Sequence, residues 1–291
     1  MGSRTVRFVA AVLRAVLWLA ATVALAVAVP AAWLQCNVVS EGGYAALAQR
    51  AAGDPALQSA AADELTNRAM ALIAAHDGGR QPADAAQLHA AAAAFTAGPT
   101  FPALFARANR AAHRWLFSTD GAGGSWAIDV APMLEDPSLQ RILSSHNVKA
   151  PATLTVPLTA SAPRSLRRGQ LGPLATWGPW VAVGAVALSV GCAVLTLVAA
   201  RRRGKALTSL GVSALLVGAG GWAGIEIAGR YVDAALNRTT GDIRRIAEVM
   251  VGHAEASLHE WLNLALLSGA ALVVAGVLAA MLGGLRKKPA G

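Results

Sequence analysis

Six histidines are the first residues to weigh for chemistry: His76, His89, His113, His146, His253 and His259. A metal centre or a general base needs such a ring beside a second ligand or carboxylate at fixed spacing, and no HExxH-type arrangement is present. Glu255 with His259, and Asn109 with His113, share a helical face at i, i+4. Pairs of that kind arise often by chance and fit satisfied or solvated histidines. Cys36 and Cys192 are the only cysteines. Cys36 falls just outside an apolar run and Cys192 deep within another, so a disulfide scaffold is excluded. The sequence before Cys36, Trp33-Leu34-Gln35, also lacks the small residues of a lipidation site. No nucleophile elbow, phosphate-binding loop or dinucleotide fingerprint occurs. The expectation is a protein that is not an enzyme and carries no cofactor or metal.

Three other features carry physical content. Arg107, Arg110 and Arg114 fall on one side of a helical stretch, opposite Phe101, Leu104, Phe105, Ala108, Ala112, Trp115 and Leu116, and form a candidate partner-binding surface. With Arg164, Arg167 and Arg168, this stripe would meet lipid headgroups or an acidic protein face. Gly220 and Gly224 form a G-x-x-x-G element that lets a neighbouring helix approach, first of all within the molecule and alternatively in self-association. Glu226 is a carboxylate in or near an apolar span, which is a functional hypothesis by default. Its position near one end of that span, with Arg230 at i+4, favours a structural role.

The elements that hold these residues follow from hydropathy and charge. The composition, 55% hydrophobic and 14% charged with mean hydropathy +0.47, is wrong for a soluble globule. The net charge of +9 resolves into three acid-free stretches: Arg4, Arg7 and Arg14; Arg201, Arg202, Arg203 and Lys205; Arg286, Lys287 and Lys288. All 16 acidic residues lie in 35–176 and 226–260, where they balance the remaining basic ones almost completely. Basic residues gathered on short segments flanking apolar runs are the positive-inside pattern, and argue against nucleic acid as a partner. Trp33, Trp177, Trp180, Trp222 and Trp261 fall near the opposite ends of the same runs, as an interfacial belt places them.

The expected architecture is therefore mainly α, with four transmembrane helices and a helix-rich α+β extracytoplasmic domain between the first two. A cytoplasmic N-terminus and first span occupy 1–34, read as an uncleaved signal anchor. The extracytoplasmic domain covers 35–176, the second span 177–200 and a cytoplasmic loop 201–206. The third span is 207–229, an extracytoplasmic helical hairpin 230–261, the fourth span 262–285 and a cytoplasmic tail 286–291. Within 35–176, Asp54-Pro55 starts a helix that His76-Asp77-Gly78-Gly79 ends. Further helices are expected from about Pro82 to Ala97, Pro102 to Phe117 and Asp136-Pro137 to His146. Gly121-Ala122-Gly123-Gly124 breaks the pattern. Trp126–Val130 and Thr153–Thr159 alternate as strands, and Ala160–Pro173 reads as a linker. In the hairpin, Ile243, Ile246, Met250, Ala254, Leu258, Trp261 and Ala265 make one stripe, with Arg244 and Glu248 paired on the other side.

Several stretches resemble an uncharacterised group of actinobacterial multispan membrane proteins. They are Gly43-Tyr44-Ala45-Ala46-Leu47-Ala48 followed by Asp54-Pro55-Ala56-Leu57-Gln58, then Ala108-Asn109-Arg110-Ala111-Ala112-His113, and Ser257-Leu258-His259-Glu260-Trp261-Leu262-Asn263. The resemblance implies an actinobacterial envelope setting and no particular activity. The functional expectation is a cell-envelope protein of interaction or scaffold type whose external domain binds a protein, lipid or wall component. Membrane lipid and a protein partner, or self-association in the membrane, are the implied partners. The alternative is a permease-like subunit of an envelope transport complex, against which the cytoplasmic parts offer little to couple to an ATPase. A channel is disfavoured by spans nearly devoid of polar residues, and a kinase-type sensor by the lack of an output domain.

Overall fold

The computed structural model describes residues 2–77, 84–117, 127–129, 131–145, 154–157, 169–200, 202–237 and 241–285. In chain order the helices are α1 (Gly2–Leu34), α2 (Glu41–Ala51), α3 (Pro55–Asp77), α4 (Ala85–Thr96) and α5 (Phe101–Phe117). Then follow β1 (Ala127–Asp129), α6 (Ala131–Leu134), α7 (Pro137–Ser145), β2 (Thr155–Pro157), α8 (Gly172–Val198), α9 (Arg203–Leu236) and α10 (Gly241–Leu285). The described chain is thus mostly helical, and four of its helices are long and apolar enough to cross a membrane.

The expected α+β character is not supported. β1 and β2 form a single antiparallel ladder, Ala127 opposite Pro157 and Asp129 opposite Thr155, three residues long on each side. A ladder that short makes no sheet layer, and the buried core residues among those described come from the helical part of the chain. The Gly121–Gly124 break, His146, Arg164, Arg167, Arg168 and the tail Arg286–Lys288 lie outside the described residues. So does most of the Ala160–Pro173 linker.

The chain divides into two compact units. The first comprises 1–35, 176–229 and 256–291 and holds the four candidate spans. Every such helix runs past the apolar segment that announces it. α8 starts at Gly172 rather than at Trp177, because Pro173 suits a first turn that needs no N–H from it. α9 continues to Leu236, and α10 begins at Gly241, whose φ of 69° only glycine adopts freely. Polar contacts join α1 to α9: Trp18 Nε1 donates to the Ser209 carbonyl at 3.0 Å, and the Thr22 and Ser213 hydroxyls share a 2.8 Å hydrogen bond. Trp33 is buried, with its Nε1 3.3 Å from Ser257 Oγ.

Between α9 and α10 the contact is made by glycine. A Cβ on Gly211 would stand 2.6 Å from the Gly269 carbonyl oxygen, and one on Gly276 2.6 Å from the Thr208 nitrogen. Gly204, Gly211 and Gly218 recur every seven residues, as do Gly269 and Gly276, so each set holds one face of its helix. Such bare backbone is what allows two helices to approach in lipid, where no hydrophobic effect drives them together.

The second unit comprises 36–175 and 230–255. Its core gathers Leu57, Leu65 and Ile73 of α3, Leu88 and Phe95 of α4, and Phe101 and Phe105 of α5. Met133, Leu134, Leu139 and Leu143 complete it, with Ile243, Ile246, Val249 and Met250 of α10 packed alongside. Alanines such as Ala48, Ala62, Ala69 and Ala92 are fully buried between these helices, filling the interior at no side-chain entropy cost. Asp54 caps α3 by accepting from the Ala56 N–H at 2.8 Å, and Asp84 caps α4. The Arg245 guanidinium ties α10 to α3 through Asp63 at 2.8 Å and also meets Asp242 in its own first turn. α2 is a helix the sequence leaves unassigned. Ser40 caps it by accepting from the Gly43 N–H at 3.3 Å, and Gly43 must be glycine, since a Cβ there would sit 1.6 Å from the Cys36 carbonyl oxygen.

Candidate functional site

α5 is the element on which the candidate surface stands. At 100° per residue, Arg107, Arg110 and Arg114 project from one side, and all three are exposed. The opposite arc buries Phe101, Phe105, Ala108 and Ala112. Arg114 Nε lies 3.7 Å from Glu41 Oε1, both side chains being largely open to solvent, so screening leaves that contact weak. Arg107 and Arg110 make no ion pair among the described residues. The face therefore presents two uncommitted guanidiniums, each able to bind a planar anion bidentately.

What holds α5 in place is a polar cluster beneath it. Asn109 and His113, which helical geometry puts on the flank, are almost fully buried against α2. His113 Nε2 lies 2.9 Å from the Val38 carbonyl oxygen. A carbonyl only accepts, so Nε2 donates to it, and Nδ1 is buried with no partner among the described residues. The ring stacks on Phe117 at 4.2 Å and tilts against Tyr44 at 5.3 Å. Asn109 donates to the Phe105 carbonyl at 2.9 Å and receives a long 3.5 Å contact from the Tyr44 hydroxyl. Burial raises the Tyr44 phenol above its ordinary pKa of 10.0. Val38 belongs to a π-helical turn, Gln35–Val39, that continues α1. Nothing in the spacing of Tyr44, Asn109 and His113 announces this cluster, because it depends on which face of α2 meets α5.

The remaining sequence candidates do not converge. Gly220 and Gly224 face open space, with nothing within 4 Å of a Cβ built on either. The intramolecular contact expected of them is made instead by Gly204, Gly211, Gly218 and Gly221 on the same helix. The motif reports that a helix has a bare face without reporting which face a neighbour occupies. Glu226 is exposed and forms no ion pair with Arg230 or any other described residue. His259 lies against Trp222 at 3.9 Å, while Asn263 receives the Trp222 Nε1 proton at 3.3 Å. His89 Nδ1 stands 3.4 Å from Asp63, and His253 Nδ1 3.1 Å from the Val249 carbonyl oxygen. Among the described residues no group of three His, Cys, Asp or Glu side chains is arranged to hold a metal. No protein-family model matches this chain, and no curated protein or solved structure matches it.

Proposed function

We propose that this chain is a multi-pass protein of the cell envelope, of interaction or scaffold type, that performs no catalysis. In this reading both termini are cytoplasmic, and 36–175 together with 230–255 lies outside. That part binds a protein, lipid or wall partner of acidic character through the Arg107, Arg110 and Arg114 face of α5. The observation that carries the reading is the pair of exposed guanidiniums, without an ion-pair partner among the described residues, on a helix locked from behind by Asn109 and His113. The four apolar helices supply the membrane anchor that such a receptor surface needs.

The test is co-purification of the full chain in mild detergent, with mass spectrometry of bound proteins and lipids. The wild-type protein is expected to recover a stoichiometric partner. The double substitution Arg107→Gln, Arg110→Gln should weaken that recovery about thirtyfold, taking ~1 kcal/mol per basic residue. Recovery of the wild-type chain alone, or equal recovery by the variant, would sink the reading. A stoichiometric ATPase that survives the double substitution would move the function to a permease-like subunit.

A further inference from the structure

Beside the glycine contact of α9 and α10, at the Arg202–Lys205 end of both helices, an open groove of about 450 Å³ remains. It is lined by Val277, Ala280 and Met281 of α10 with Lys205 and Thr208 of α9. The groove exists because Gly204 and Gly276 bring the backbones together: a Cβ on Gly204 would lie 2.6 Å from the Gly276 carbonyl oxygen and 2.7 Å from the Ala280 nitrogen. Two cylinders touching on bare backbone leave a furrow at their side, here in the size range of ~300–1,000 Å³ typical of ligand clefts.

We infer that this groove is a binding site for one phospholipid with a net-negative headgroup. Charge decides the occupant. Lys205 makes no ion pair among the described residues, and the neighbouring Arg202 and Arg203 are exposed. All 16 acidic residues of the chain lie outside 177–225, so the segment supplies no carboxylate of its own to meet these cations. The anion must come from outside. Val277 and Met281 are open to the surroundings of the helix pair, so what enters from the side is hydrocarbon. The occupant must present an anionic group at Lys205 and an acyl chain along Val277 and Met281, which a phospholipid of the adjoining leaflet does. The Thr208 hydroxyl, already donating to the Gly204 carbonyl at 3.1 Å, keeps its lone pair for a headgroup hydroxyl. Basic pockets between transmembrane helices are known to hold anionic headgroups in this way. The inference goes beyond the proposed function and rests on the helices crossing a bilayer, not on the α5 surface.

The full chain, purified in neutral detergent, is titrated with phosphatidylglycerol or phosphatidylcholine and read by native mass spectrometry. One phosphatidylglycerol should be retained in preference to phosphatidylcholine. Lys205→Gln should reduce that retention about fivefold, the loss of one well-placed cation. Arg202→Gln, the same charge change outside the groove wall, should cost less than about twofold. Ala280→Phe keeps every charge and fills the groove, and should abolish the bound lipid as well. Equal weakening by Lys205→Gln and Arg202→Gln would overturn the inference in favour of diffuse attraction. Equal retention of phosphatidylcholine, displacement by glycerophosphate at matched concentration, or an unaffected Ala280→Phe protein would also overturn it. Retention of the lipid by Arg107→Gln, Arg110→Gln is expected, which separates this site from the α5 surface.

Discussion

Tyr44 shows how a single side chain of α2 ties stability to pH. Its phenol is held above the ordinary pKa of 10.0 because burial against α5 disfavours the phenolate. Below pH 10 the folded and unfolded chains both keep the proton, and the contribution of Tyr44 is complete. As pH rises through 10 the unfolded chain releases its proton while the folded one retains it, so the unfolded state gains and stability declines until the folded pKa is passed. Thermal unfolding of the detergent-solubilised protein should therefore fall more steeply above pH 10 in the wild type than in Tyr44→Phe. At neutral pH that substitution should cost no more than ~0.5–1.5 kcal/mol, since among the described residues the hydroxyl makes only the long contact to Asn109. Identical alkaline slopes in the two proteins would show that the phenol is not buried as described. The same residues mark a limit of reading a sequence. The segment of α2 is left unassigned by the sequence, and Gly43 lies inside that helix where only a residue without Cβ clears the Cys36 carbonyl.

Helices are the scale at which this sequence is most informative, and the reason is physical. An apolar run of span length has few alternatives to a helix, because lipid satisfies no backbone hydrogen bond. The cap written in the chain as Asp54 before Pro55 likewise marks where α3 begins, whereas α4, expected from about Pro82, is capped by Asp84 and starts at Ala85. Which faces meet is a different matter. The Gly220–Gly224 motif is visible at once, whereas the seven-residue recurrence of Gly204, Gly211 and Gly218 against Gly269 and Gly276 emerges only when two helices are laid together. This yields a comparison of substitutions that are chemically identical. Gly276→Ala should lower the apparent melting temperature of the solubilised protein, because its Cβ would meet the Thr208 backbone nitrogen at 2.6 Å. Overpacking of that kind costs ~1–3 kcal/mol. Gly220→Ala and Gly224→Ala, with open space around both, should leave the melting temperature unchanged. The reverse order of effects would mean that α9 turns a different face to α10. A change confined to oligomeric state in the Gly220 and Gly224 variants would instead assign that bare face to self-association.

For the molecule as a whole, orientation is the property on which the proposed function depends, and charge argues for it more strongly than any packing detail. The segments between and beyond the apolar helices fall into two groups. One carries only basic residues, at 1–14, 201–205 and 286–288, and the other carries nearly all the acids. On the proposed reading, in which Lys and Arg are retained on the cytoplasmic side, 36–175 and 230–255 lie outside together. The two cysteines make this measurable, because Cys192 is buried and Cys36 is exposed. In a Cys36→Ser background, single cysteines are introduced at Gln49 on α2 and at Arg202 before α9, both exposed positions. A membrane-impermeant maleimide applied to intact cells should label Gln49→Cys and spare Arg202→Cys, and inverted vesicles should reverse the pattern. Labelling of Arg202→Cys from outside would turn the molecule over. Arg107 and Arg110 would then face the cytoplasm, and an envelope partner for them would be ruled out, although the lipid groove at Lys205 would remain and only change leaflet. The orientation experiment thus decides the setting of one surface and leaves the chemistry of the other intact.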